Sequence, residues 1–181
     1  MDLVPRYAEG VNGEPVEIRE VRPEEYTEAG RVTALSYREF VRPGEEDWDA
    51  YLGSIADVAG RVDRTVVLVA VSGGRLLGCV TLEVDRTIGD DDGELEPGTA
   101  HVRMLGVDPD ARGRGVGRAL MEACVDLARA RGKRDLTLRT TDRMLVAQRM
   151  YAAMGFRRDP DHDMFFPDLH LLAFRLPLGT V

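Results

Sequence analysis

The stretch "DARGRGVGRAL", residues 110–120, decides how the rest of the chain is read. Gly113, Gly115 and Gly117 alternate in it, interleaved with Arg112, Arg114 and Arg118, and an amphipathic run follows at once. A helix N-terminus leaves backbone N–H groups unpaired and carries partial positive charge. Glycine lets the backbone fold tightly enough to bring those donors to a bulky anion, and arginine adds forked, charged donors. The stretch is therefore built for a phosphate or pyrophosphate.

Two common phosphate loops are excluded by spacing. No G-x-x-x-x-G-K-[ST] run occurs. Gly113 and Gly115 match the first pair of the dinucleotide fingerprint G-x-G-x-x-G, but the third position is Arg118. The spacing present is R-x-x-G-x-G, carried by Arg112, Gly115 and Gly117.

The surrounding chain sets the class. Its 181 residues suit one domain with a sizeable core. A net charge of −8 argues against nucleic-acid binding. No apolar run reaches the ~18 residues of a membrane-spanning helix. Residues 1–14 lack the basic-then-apolar order of a signal peptide and read as a lead-in. Cys79 and Cys124 each sit in an apolar run without metal-ligand spacing. They read as buried free thiols, in keeping with a reducing cytoplasm, and no metal is expected.

Periodicity gives the elements in order. "PVEIREV" from Pro15 alternates as a strand. "PEEYTEAGRVTALSYREF" and "EEDWDAYLGSIADVAG" read as helices, the second ending at Gly60. "RTVVLVAV", "SGG" and "RLLGCVTLEV" form a hairpin, and an acidic loop spans 85–98. "TAHVRMLGV" is a strand whose alternation places His101, Arg103, Leu105 and Val107 on one face. A helix follows with Val116, Leu120, Cys124 and Leu127 as its stripe, then the strand "RDLTLRT". A helix over "DRMLVAQRMYAAMG", capped by Asp142 and Gly155, and the strand "HLLAFRL" complete the chain. The order is βααββ followed by βαβαβ, an α/β fold with hairpins early and helical crossovers late.

The loop spacing after "MLGVDPDA" resembles the acetyl-CoA loop of the GNAT superfamily of N-acetyltransferases. "AQRMYAAMGF", from Ala147 to Phe156, resembles that family's A-x-x-x-Y-x-x-x-G-F helix. The resemblance implies one N-acetyltransferase domain over 15–181. Its sheet would be mixed and mostly antiparallel, with a splayed parallel strand pair and flanking helices. It implies acetyl-CoA as cosubstrate and direct acetyl transfer to a primary amine of a small molecule or peptide. A non-catalytic CoA-binding regulatory module is the alternative. Neither a nucleic acid nor a membrane is an expected partner, and a homodimer is a habit of the family.

The resemblance also assigns residues. The backbone of Leu105, Gly106 and Val107 would pair with the pantetheine arm, with Gly106 allowing close approach. Arg112, Gly113, Arg114, Gly115, Val116, Gly117 and Arg118 would surround the pyrophosphate. Tyr151 occupies the place of the general acid. His101 occupies the place of the base, with Glu83 as second candidate. Met144 stands where many members carry an asparagine that contacts the CoA arm. "DHD" at 161–163 reads as a turn with solvated charges, His170 as structural, and "MFFPDL" as core packing.

Overall fold

The computed structural model describes residues 14–41, 48–88, 95–166 and 169–179. Strands β1 (Glu17–Glu20), β2 (Val66–Ser72), β3 (Arg75–Glu83), β4 (Thr99–Val107), β5 (Asp135–Thr141), β6 (Arg157–Arg158), β7 (Met164–Phe166) and β8 (Leu169–Pro177) share one sheet. Its order is β1-β2-β3-β4-β5-β8-β6, with β7 also on β8. Neighbours are antiparallel except β4 and β5. Helices α1 (Tyr26–Arg38) and α2 (Trp48–Ala56) precede β2, α3 (Val116–Ala130) joins β4 to β5, and α4 (Leu145–Ala153) joins β5 to β6. The mixed α/β class and the parallel pair agree with the sequence reading.

Two apolar clusters lie on the two sheet faces. Helix α3 buries Val116, Leu120, Met121 and Cys124 against Leu77, Val102, Leu136 and Leu138 in the larger one. The smaller packs Ala29 and Val32 of α1 on Val67, Val69, Leu76 and Cys79. Both faces are covered, so β2 and β3 read as continuous apolar runs rather than as alternating ones. Cys79 and Cys124 are buried free thiols.

Strand β4 departs from simple alternation. Cys79 pairs with Gly106, but Thr81 pairs with Arg103, so a bulge interrupts the ladder. Met104, within it, has φ of 55°. Ala100 and Val102 face the α3 cluster before the bulge, and Leu105 and Val107 pack on the same cluster after it. His101 and Arg103 face away from α3. The expectation that His101, Arg103, Leu105 and Val107 share one face therefore fails, because the extra residue shifts the phase by one.

Parallel pairing of β4 with β5 runs only from Thr99–Asp135 to Val102–Leu138. Beyond that pair β5 stays on β8 through Thr141–Leu171, while β4 stays on β3 through Val107–Gly78. The two strands thus part at Val102 and Leu138, opening the sheet toward the C-terminal ends of both.

Several local expectations are corrected. Helix α2 ends at Ala56, before Gly60, where Asp57 Oδ1 accepts the Gly60 N–H at 2.9 Å in a side-chain-stabilised turn. Residues 45–47 of the expected helix lie outside the described residues. Asp142 does not cap α4; Met144 occupies that position and the Asp142 N–H bonds to the His170 carbonyl. Met164, Phe165 and Phe166 form β7 on the sheet edge with exposed side chains, rather than core packing. Residues 89–94 of the acidic loop lie outside the described residues.

Candidate active site

The loop from β4 into α3 is fixed at its base by Asp108. This buried carboxylate accepts from the Asp110 N–H at 3.0 Å and from Arg75 at 3.0 Å. A 3-10 turn, Pro109–Ala111, follows and buries Ala111. Gly113 and Gly115 then take φ of 76° and 79°. Side chains with a Cβ are strained in that left-handed region, so the glycines are a backbone requirement. Gly115 is the N-cap of α3, and no side chain caps the helix. The first-turn N–H groups face the loop, beside the mouth opened by β4 and β5.

The arginines divide by role. Arg112 reaches α1, donating to Glu39 Oε2 at 2.8 Å and to the Ser36 carbonyl at 3.4 Å. Arg118 pairs with Glu122 one turn along α3 at 2.8 Å. Gly106 has a structural reason of its own. A Cβ there would sit 2.5 Å from Ser36 Oγ and 2.9 Å from Thr33 Cα, so glycine lets α1 lie on β4. This packing gives glycine at 106 a reason that is independent of any cosubstrate.

The candidate acid and bases lie on opposite faces. Tyr151, on α4, is 5% exposed within the α3-side cluster, its ring centroid 5.8 Å from Phe156 and 6.2 Å from Phe174. Burial pushes its hydroxyl well above the ordinary phenol range, so it stays protonated. Met144 keeps the position before this helix apolar; Thr140 donates to its sulfur at 3.5 Å.

His101 and Glu83 are register partners across β3 and β4. Both line a cavity of about 110 Å³ on the face away from α3. Arg103, Leu138 and Arg139, at the point where the parallel strands part, line it too. Glu83 is 1% exposed; its Oε2 accepts from Arg103 at 3.2 Å and its Oε1 from the Ile88 N–H at 2.8 Å. His101 Nδ1 lies 2.8 Å from Thr137 Oγ1, which is 3.2 Å from the Ala100 carbonyl. If the hydroxyl proton goes to that carbonyl, Nδ1 donates to Thr137 and Nε2 holds the lone pair. Burial, with Arg103 and Arg139 nearby, lowers the His101 pKa to about 3.

The far wall comes from a segment that the sequence reading left as a solvated turn. Asp159 and His162 flank the turn Pro160–His162 and line the cavity with Glu96 and Arg175. Arg175 bonds Glu96 and Asp159, each at 2.9 Å, and His162 lies within 3.0 Å of both. Asp163 binds Arg158 at 2.7 Å and the Ala173 N–H at 2.7 Å. These charges are paired, and they hold the turn against β8. Arg139 was also missed; the alternation of "RDLTLRT", which sets Thr137 and Arg139 opposite Leu136 and Leu138, is the signal that finds it.

An uncapped glycine N-terminus, a parallel pair that opens beside it, and a polar cavity at the opening make this the candidate binding site of the fold. The chain belongs to the acetyltransferase (GNAT) family, whose model matches residues 20–156. It is 30% identical over 142 residues to IAA acetyltransferase of Azospirillum brasilense, covering 74% of this chain and 87% of that one. It is 36% identical over 105 residues to mycothiol acetyltransferase of Cellulomonas flavigena, covering 58% of this chain. It spans only 30% of that relative's length. The fold matches that of PaiA N-acetyltransferase of Thermoplasma acidophilum, solved with coenzyme A. The TM-score is 0.67 at 15% identity, covering 87% of this chain and 97% of that one.

Among the described residues, no group of three or more His, Cys, Asp or Glu side chains is placed to hold a metal ion. None of the described helices is long and apolar enough to cross a membrane.

Proposed function

We propose that the protein is an acetyl-CoA-dependent N-acetyltransferase acting on a primary amine of a small molecule or peptide. The observation that carries this reading is the position of Gly115. It places the uncapped N–H groups of α3 at the open end of the β4–β5 split. The backbone of residues 113–118 holds the pyrophosphate, with Arg114 and Arg118 supplying charge at its rim. The β4 backbone at Leu105, Gly106 and Val107 pairs with the pantetheine arm in place of the strand that β5 no longer provides. Acetyl-CoA supplies an activated thioester carbonyl at the split.

The two faces divide the proton work. The acceptor enters from the cavity side, where Glu83 attracts its ammonium and takes the proton, directly or through water. His101, with its pKa near 3, is too weak a base for this; its role is to hold the strands and the cavity wall. As the C–N bond forms and the C–S bond breaks, Tyr151 delivers a proton to the departing sulfur from the opposite face. The nitrogen gives up two protons in all, one before attack and one as the C–N bond forms. One restores the proton that Tyr151 gave to sulfur and the other passes to solvent from Glu83, so the products are an N-acetyl amine, free CoA thiol and one proton.

Two buried free thiols suit a reducing cytoplasm as the place of action. The alternative, CoA binding without catalysis, makes a different prediction. Acetyl-CoA incubated with the protein and a panel of primary amines releases free CoA thiol only under the enzymatic reading. Binding without thiol release for any amine supports the regulatory module.

A further inference from the structure

Among the described residues, one guanidinium that lines the cavity at the β4–β5 split has no ion-paired carboxylate. Arg103 is paired with Glu83, and Arg175 with Glu96 and Asp159. Arg139 makes no ion pair among the described residues. Its Nε donates to the His162 carbonyl at 3.1 Å, and the residue lines the cavity. Burial and Arg103 lower the pKa of this guanidinium, with Glu83, Glu96 and Asp159 acting in the opposite sense. A half-buried cation beside a second one is costly to hold unless an anion arrives. Of the carboxylates that line the cavity, Glu96 and Asp159 are held by Arg175 and Glu83 faces Arg103, so among the described residues none forms an ion pair with Arg139.

We infer that Arg139 receives the carboxylate of the amine acceptor, so that the acceptor class is a free amino acid. The inference rests on the acetyl-transfer reading and deepens it. The cavity is complementary to a zwitterion: Glu83 sits on its β3 wall for an ammonium, and Arg139 on its β5 wall for a carboxylate. A guanidinium fork matches a carboxylate with two parallel hydrogen bonds. The volume, about 110 Å³, is small beside the ~300–1,000 Å³ of drug-sized pockets. It accommodates the amino-carboxylate head of a small molecule, with the side chain directed outward, rather than a length of peptide.

The test compares the standard L-amino acids with their carboxamides and decarboxylated amines, using wild-type protein, Arg139→Gln and Arg139→Lys. Free CoA is the kinetic readout, and acetyl-CoA affinity and melting temperature are measured on each protein. The expected result is that the wild type turns over one or more amino acids and discriminates against their carboxylate-free analogues in kcat/KM. Arg139→Gln lowers kcat/KM for the amino acid ~30-fold or more through KM and erases that discrimination. Acetyl-CoA affinity and melting temperature stay at wild-type values, and Arg139→Lys recovers part of the loss. Efficient turnover of the carboxylate-free amines by the wild type overturns the inference while leaving the acetyltransferase reading intact. So does a weakened affinity for acetyl-CoA in Arg139→Gln, which assigns the guanidinium to the cosubstrate. Turnover of neither set with acetyl-CoA bound overturns the inference, and the acetyl-transfer reading falls with it only if a wider panel of primary amines and peptides also releases no free CoA.

Discussion

His101 Nδ1 lies 2.8 Å from Thr137 Oγ1, a bond that ties β4 to β5 one residue pair before the strands part. The imidazole is 7% exposed and has its pKa lowered to about 3. The unfolded chain binds the His101 proton near pH 6.5 and the folded chain does not. Stability from this group is therefore complete above pH 6.5 and falls as the pH drops toward 3. Between pH 6.5 and 5 the wild type should lose ~1.5 kcal/mol that His101→Gln does not. His162, raised by its bond to Asp159, has the opposite sign, stabilising at lower pH, but it is common to both proteins and cancels in the comparison. Glu25, lowered to about 2 by Arg19, acts only below its unfolded value near 4.5. Urea denaturation of both proteins at each pH checks this; parallel curves would contradict it.

The two candidate bases, Glu83 and His101, line one cavity and are told apart by substitution. Glu83→Gln keeps the shape and one acceptor, for either Arg103 or the Ile88 N–H, but removes the carboxylate, and should lower kcat at least ~10²-fold. His101→Gln should keep kcat within a few-fold. Steady-state rates at saturating acetyl-CoA decide between them; the reverse pattern would return the base to His101.

Tyr151→Phe preserves the ring contacts with Phe156 and Phe174 and removes only the hydroxyl. The melting temperature and acetyl-CoA affinity should hold while kcat falls ~10²-fold. Turnover at the wild-type rate would remove Tyr151 as the acid.

Gly106→Ala tests the close approach of α1 to β4. The added methyl meets Thr33 Cα at 2.9 Å, a backbone atom that cannot rotate away. A loss of ~1–3 kcal/mol is expected from chemical denaturation, without any ligand present. Unchanged stability would show that Gly106 is not a packing requirement.

The sequence carried the architecture because its signals were strong and local. The two-residue turn between β2 and β3, the stripe of α3 and the glycines at 113 and 115 each follow from backbone sterics or burial alone. What it could not carry depends on pairing across distance. The bulge at Met104 is invisible to alternation, since an inserted residue leaves no compositional mark, and it alone reverses the shared face expected for His101 and Leu105. The depressed pKa of His101 requires the burial and the two arginines that the fold brings near it. The paired charges around Asp159, His162 and Arg175 come from segments far apart in the chain, so a local reading took them as solvated. The β7 aromatics looked like core because composition does not report which edge of a sheet stays open.

The most direct test of the account is titration calorimetry of acetyl-CoA with the wild type, Gly115→Glu and Gly117→Glu. Gly115→Glu places a carboxylate at the N-cap of α3 and strains a φ of 79°. Gly117→Glu places the charge in the first helical turn, where an acidic residue favours the helix, so it controls for misfolding. The account predicts binding by the wild type and its loss in both variants, with Gly117→Glu melting at or above the wild-type temperature. Undiminished affinity in the folded Gly117→Glu protein, or no binding by the wild type, would contradict the assignment of the loop and the transferase reading built on it.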